Sequence, residues 1–186
     1  MAAPLTIATI VGSLRKESLS LKIANALAKL APDTLKLDIV TLHDISFFNQ
    51  DLEAAPPADW LKFRETLKKS NGVLFITPEY NRSIPGVLKN AIDVGSRPYG
   101  ASVFSGKPGA IISISPGAMG GFGANHHLRQ SLVFLDVPVL QQPEAYIGGA
   151  ASLFDEAGAI ANPGTRDFIA RFMAAFAAWV ETHAKG

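Results

Sequence analysis

Short, continuous apolar runs alternate along the chain with stretches whose apolar residues recur every three or four positions. The runs are Leu5 to Val11, Leu37 to Leu42, Val73 to Thr77, Gly109 to Ser115 and Val137 to Leu140. Such runs predict strands buried on both faces, because a parallel sheet covered by helices on either side has no wet face to demand alternation. Pro138 cannot donate to a ladder and marks the last run as an edge strand. Between the runs, Leu19, Ile23, Leu27 and Leu30 form one helical stripe, Trp60, Phe63 and Leu67 a second, and Ile84, Val87, Leu88, Ala91 and Ile92 a broader third. Lys89 and Asp93, four apart on the third helix, have the spacing of a weak surface ion pair. A fourth helix is predicted from Ala124 to Phe134. A fifth follows Pro163-Gly164-Thr165 and carries Phe168, Ile169, Phe172, Phe176, Trp179 and Val180.

Right-handed crossovers between five strands leave a small set of α/β, doubly wound topologies, of which a five-stranded parallel sheet of order 2-1-3-4-5 with helices on both faces is a common one and the one expected here. With no repeat, no low-complexity segment and only short linkers such as Ala54-Ala55-Pro56-Pro57, one domain over residues 1–186 is expected. In that order strands one, three and four are neighbours. The loops that follow them share the carboxyl edge of the sheet, where such folds bind ligands.

The first loop, Gly12-Ser13-Leu14-Arg15-Lys16-Glu17-Ser18-Leu19-Ser20, runs from a strand into a helix start. Free N–H groups, the positive end of the helix dipole, the hydroxyls of Ser13, Ser18 and Ser20 and the forked guanidinium of Arg15 suit a phosphate there. The alternative is that Ser18 or Ser20 simply caps the helix. The second loop, Thr77-Pro78-Glu79-Tyr80-Asn81-Arg82-Ser83-Ile84-Pro85-Gly86, is stiffened by two prolines. It offers backbone groups of Glu79 to Asn81 to a flat heteroaromatic ring, with Tyr80 along a face or edge. Otherwise it is a tight turn with Asn81 in an unusual conformation. The third loop, Ser115 to Gly123, carries glycines at 117, 120, 121 and 123, which let a ring approach backbone closely. Ser115 and the N–H groups near Gly117 are its candidate ring contacts, unless the loop is a floppy surface connection.

Composition narrows the ligand. With 48% hydrophobic and 18% charged residues and a net charge of +1, no nucleic-acid or anionic-membrane surface is expected, and the partners expected are small molecules and further copies of the chain. The absence of cysteine removes thiolate, disulfide, iron–sulfur and cysteine–zinc chemistry, including a cysteine phosphatase. No aspartate ends the first or third strand as a receiver domain would need, and neither G-x-G-x-x-G nor a triphosphate loop is present. Adjacent His126 and His127 point to different faces of a helix and make poor joint metal ligands, so no metal is expected. The start, Met1-Ala2-Ala3-Pro4, has no basic region before its short apolar stretch, so a cytoplasmic location is expected. A phosphate pocket beside a flat, polar-edged slot fits a mononucleotide with a planar tricyclic ring, FMN.

The stretches Gly12-Ser13-Leu14-Arg15-Lys16-x-Ser18, Thr77-Pro78-Glu79-Tyr80-Asn81, Ser83-x-Pro85-Gly86-x-Leu88-Lys89-Asn90-Ala91-Ile92-Asp93, and His127-Leu128-Arg129-Gln130 with Val133-Phe134-Leu135-Asp136 span most of the chain. In them the chain resembles the NADPH-dependent FMN reductase family, and within it the quinone and chromate reductases. The resemblance implies a flavodoxin-like fold with non-covalent FMN. Its phosphate would lie at Ser13, Leu14, Arg15, Ser18, Leu19 and Ser20, and its ring at Pro78, Glu79, Tyr80, Asn81, Arg82, Ser115 and Gly117. It also implies a homo-oligomer, dimer or tetramer, and two-electron transfer from NADH or NADPH to quinones, flavins or metal oxyanions such as chromate. Because hydride transfer is the cofactor's chemistry, no catalytic side chain is expected, and ping-pong kinetics are. The alternative is an FMN-binding electron carrier or regulator without turnover.

The chain departs from those reductases at three positions. Arg82 and His126 stand where aromatic residues are usual, and Gly123 stands where an arginine often joins an inter-subunit network with the counterpart of Glu144. Arg82 is therefore the candidate to supply that charge, towards Glu144 or towards an anionic acceptor.

Overall fold

The computed structural model describes residues 3–184; Met1 and Ala2, on which the reading of the chain's start partly rests, lie outside the described residues. Five parallel strands, β1 (Leu5–Val11), β2 (Leu35–Val40), β3 (Gly72–Thr77), β4 (Gly109–Ile114) and β5 (Ala145–Ile147), form one sheet of order β2-β1-β3-β4-β5. The helices are α1 (Leu19–Leu30), α2 (Ala58–Lys68), α3 (Gly86–Gly95), α4 (Phe122–Phe134) and α5 (Pro163–His183). The predicted class, order and helices are all present.

Alternation along each strand sends successive side chains to opposite layers. Ile7, Val11, Leu74, Ile76 and Ile112 pack under α1 and α5 with Ile23, Leu27, Phe172 and Phe176. Ala8, Ile10, Val73, Phe75 and Ile111 pack under α2, α3 and α4 with Trp60, Phe63, Leu88, Leu128 and Phe104. Every residue of β3 and β4 is buried, as continuous apolar runs demand. The expected Lys89–Asp93 pair forms at 2.8 Å on the surface.

The fifth strand is not where the apolar run placed it. Val137 to Leu140 contributes only an isolated bridge between Val139 and Gly109, and the three-residue strand beside β4 is Ala145–Ile147. Pro138 has no N–H to give, and its carbonyl is shared between the Gly109 N–H at 3.1 Å and the Trp179 indole N–H at 2.8 Å. Val137 and Leu140 are apolar because they plug the core at the foot of the sheet, both being buried there. Similarly, β2 ends at Val40, and Leu42 is buried beyond the ladder rather than within it.

Candidate functional site

Gly12 leaves β1 with its N–H bonded to the Ile76 carbonyl at 2.8 Å, which keeps the first loop against the end of β3. Ser18 then caps α1, its Oγ accepting the Leu21 N–H at 2.9 Å. The capping alternative is thus realised by Ser18, whose hydroxyl keeps its own proton to donate. Ser20 does something else: it is 1% exposed and its Oγ has no hydrogen-bond partner. A buried hydroxyl left unpaired costs about 1–3 kcal/mol; Thr9 Oγ1 inside β1 is unpaired too, but the Ser20 hydroxyl borders a cavity in which a ligand could satisfy it. Ser13 is also buried, and the first turn of α1 carries no acidic residue to quench the dipole.

Ser13, Arg15, Ser18, Leu19 and Ser20 line one cavity of about 240 Å³ together with Pro78, Glu79, Tyr80 and Ser115 from the other two loops. A second hollow of about 290 Å³ shares Ser13, Arg15 and Tyr80 with it and adds Leu14, Pro85 and Val87. All three predicted loops therefore converge. Ile114 and Pro116 join the lining without having been singled out, although they flank a residue that was. A larger hollow of about 550 Å³ near the ends of α3 and α4 offers no comparable chemistry. Its charged groups are already paired, Arg97 with Glu53, Asp93 with Lys89 and Asp136 with Ser105. The hydrogen bond from Arg97 holds the Glu53 carboxyl below its ordinary range.

The second loop is a two-residue turn. Tyr80 N–H donates to the Ser83 carbonyl at 2.9 Å and Ser83 N–H to the Tyr80 carbonyl at 3.0 Å, with Asn81 at φ 51° and Arg82 at φ 65°. The Tyr80 N–H is spent inside the turn, its carbonyl keeps one lone pair free, and Asn81 and Arg82 line neither cavity. Glu79 is 15% exposed, and its Oε2 accepts the Ala124 N–H at 3.0 Å. The N-cap of α4 is Gly121, at φ 77°, with no side chain to do that work, so a carboxylate from another loop does it. Arg82, 78% exposed, stands 3.8 Å from Glu79, whereas Glu144 stands 4.0 Å from Arg129 of its own subunit.

The third loop is anchored rather than floppy. Ser115 N–H bonds the Ile147 carbonyl at 3.0 Å, Ala150 N–H the Ser115 carbonyl at 3.1 Å and Gly149 N–H the Gly117 carbonyl at 3.2 Å. The Gly117 N–H is taken by Ser115 Oγ at 3.1 Å, so that amide is not free for a ring. His126 and His127 diverge as expected, His126 Nε2 to the Tyr146 hydroxyl at 3.1 Å and His127 Nδ1 to Ser83 Oγ at 2.9 Å. Burial, with Glu144 alongside, pushes the Tyr146 phenol up to about 12, so it stays protonated at neutral pH.

These features fit a phosphate monoester carried by a ring system. Ser20→Ala separates the two roles of that hydroxyl. Removing an unpaired buried group leaves the ligand-free protein as stable as before, or up to about 1 kcal/mol more so, while ligand affinity falls about five-fold. Thermal melts without ligand and a binding titration check both signs.

The family model described as NADPH-dependent FMN reductase matches residues 5–152. A quinone reductase of Pseudomonas putida is 60% identical over 182 residues, 97% of each chain. A 2-hydroxy-1,4-benzoquinone reductase of a Burkholderia species is 45% identical over 176 residues, 95% of this chain and 96% of the relative. Among solved structures, FerB, a flavoenzyme NAD(P)H:(acceptor) oxidoreductase from Paracoccus denitrificans, superposes with a TM-score of 0.92 at 40% identity, over 97% of this chain and all of that one. A flavodoxin from Pseudomonas aeruginosa, at 15% identity and a TM-score of 0.58 over 95% of this chain and 99% of that one, shares the fold.

Proposed function

The chain belongs to the NADPH-dependent FMN reductase family, and from that premise we propose that it is an FMN-dependent quinone reductase using NADH or NADPH, built as one domain over residues 1–186. The observation that carries the reading is the unpartnered Ser20 hydroxyl in a cavity shared with Ser13, Arg15 and Ser18 at a helix start whose first turn holds no acidic residue and whose neighbouring Glu17 is paired with Lys22. Those four residues hold the phosphate, with Leu14 and Leu19 supplying backbone and wall. Pro78, Glu79, Tyr80 and Ser115 border the ring, and the Asn81–Arg82 turn and Gly117 brace them. FMN held there would supply two-electron hydride chemistry between a nicotinamide and a quinone, a flavin or a metal oxyanion such as chromate.

The protein's part is to anchor, orient and admit. Ser18 and Ser13 retain hydroxyl protons to donate to an anion, and Arg15 adds a fork of charged donors. Glu79 is committed to α4 and acts as a brace for the ring-side loop rather than as an acid or base. Arg82, exposed and only loosely paired, is placed to attract an anionic acceptor. Donor and acceptor use one mouth in turn, so initial-rate lines are parallel, as ping-pong kinetics require. A cytoplasmic location and a homo-oligomer, dimer or tetramer, complete the proposal; among the described residues no helix is long and apolar enough to cross a membrane.

The test is an absorbance spectrum of the purified protein followed by anaerobic titration with each nicotinamide. A yellow protein bleached by one equivalent of NADH or NADPH and reoxidised by a quinone supports the enzyme. A flavin that stays oxidised supports the electron carrier, and failure to take up FMN rejects both.

A further inference from the structure

In the order β2-β1-β3-β4-β5 the connector leaving β2 emerges beside the loop leaving β1. His43, three residues past the end of β2, uses that adjacency, its Nε2 lying 2.9 Å from the carbonyl oxygen of Leu14. A carbonyl can only accept, so the imidazole donates and carries its hydrogen on Nε2.

The loop that receives this bond has few restraints of its own. Its ends are tied by Gly12 to Ile76 at 2.8 Å and by Ser18 N–H to the Arg15 carbonyl at 3.1 Å, and between them Arg15 N–H reaches Ser13 Oγ only at 3.4 Å. In a planar trans peptide the C=O of Leu14 and the N–H of Arg15 point in opposite directions. Turning the carbonyl towards His43 therefore turns the Arg15 N–H away from it, towards the Ser13 hydroxyl, which lies on the cavity wall. His43 itself lines neither hollow.

We infer that His43 is a positioning residue for the phosphate loop: by holding the Leu14 carbonyl outward it keeps the Arg15 N–H on the Ser13 Oγ and so presents the Ser13 hydroxyl to the anion. The inference rests on reading that loop as the FMN phosphate site. It concerns a residue outside the three loops that build the cavity. Since the ring is exposed, its replacement leaves the core untouched.

The test compares His43→Ala with His43→Gln, whose amide nitrogen reaches the place of Nε2. The FMN dissociation constant rises about five-fold in His43→Ala and stays within about two-fold of the parent in His43→Gln, the scale of one neutral hydrogen bond. Melting temperatures stay equal in all three proteins. In the FMN-free proteins, backbone order parameters at residues 14–16 fall in His43→Ala and recover in His43→Gln. Unchanged affinity in His43→Ala, or a glutamine variant as weak as the alanine one, overturns the inference. Should the parent protein take up no FMN, the FMN reading fails, and the order parameters still decide whether His43 holds the loop.

Discussion

Replacing Arg15 with alanine is expected to weaken FMN binding by roughly 30- to 100-fold while leaving riboflavin binding within about two-fold, since only FMN carries the phosphate that a charge-assisted pair of hydrogen bonds would hold. Arg15 is exposed, so its loss should not disturb the core, and it has no acidic partner in the first turn of α1 whose release could offset the effect. The remaining anchors, the three serines and the helix N-terminus, are neutral dipoles that keep a residual affinity. Arg15→Lys should recover part of the loss, because a point charge replaces the fork but not its two-pronged geometry. Flavin fluorescence quenching at fixed salt, run in parallel with FMN and riboflavin, reads the difference directly. Equal losses for both flavins would mean that Arg15 shapes the loop and does not bind the phosphate.

The residues in that argument were visible before any fold was known because they are local: a strand exit, a cluster of hydroxyls and a helix start lie within nine consecutive positions. The βα alternation that set the fold class is local in the same way, whereas the strand order rested on right-handed crossovers and on how common that order is among such sheets. What escaped the sequence is contact between segments distant along the chain. Glu79 read as a ring neighbour, yet it braces α4 from forty-five residues away. His43 carried no motif, and only the side-by-side placement of β1 and β2 makes it touch Leu14. Val137 to Leu140 has the apolarity of a strand but obtained it from core burial, while Ala145–Ile147 pairs with β4 through backbone groups that leave no trace in so short a segment. Hydrophobicity reports burial and only indirectly reports which backbone groups pair.

The second large effect is expected at Gly123, a position where the glycine provides space rather than an unusual backbone. A Cβ there would lie 2.8 Å from the Arg82 carbonyl oxygen and 3.0 Å from Glu79 Oε2. Neither neighbour yields cheaply. The Arg82 carbonyl belongs to a turn closed by two hydrogen bonds between Tyr80 and Ser83, with two residues in the left-handed region, and Glu79 is bound to the very next amide of α4. Alanine is the better helix former by about 1 kcal/mol, so propensity alone predicts that Gly123→Ala stabilises. The clash opposes it, and overpacking of this kind costs about 1–3 kcal/mol. With the turn forced off α4, the net expected result is a melting temperature lower by about 3–6 °C. Because Pro78, Glu79 and Tyr80 move with the turn, FMN affinity should fall with it, by about five-fold if one neutral hydrogen bond is lost. Pairing the substitution with Glu79→Ala separates the causes. If the carboxylate is the obstacle, the double variant recovers stability over Gly123→Ala, whereas no recovery assigns the clash to the turn's backbone. A Gly123→Ala protein that is more stable and binds FMN normally would show that the turn can leave α4 without disturbing the cavity. The close approach of the left-handed Arg82 to Gly123 ties the two together as one structural unit of this chain.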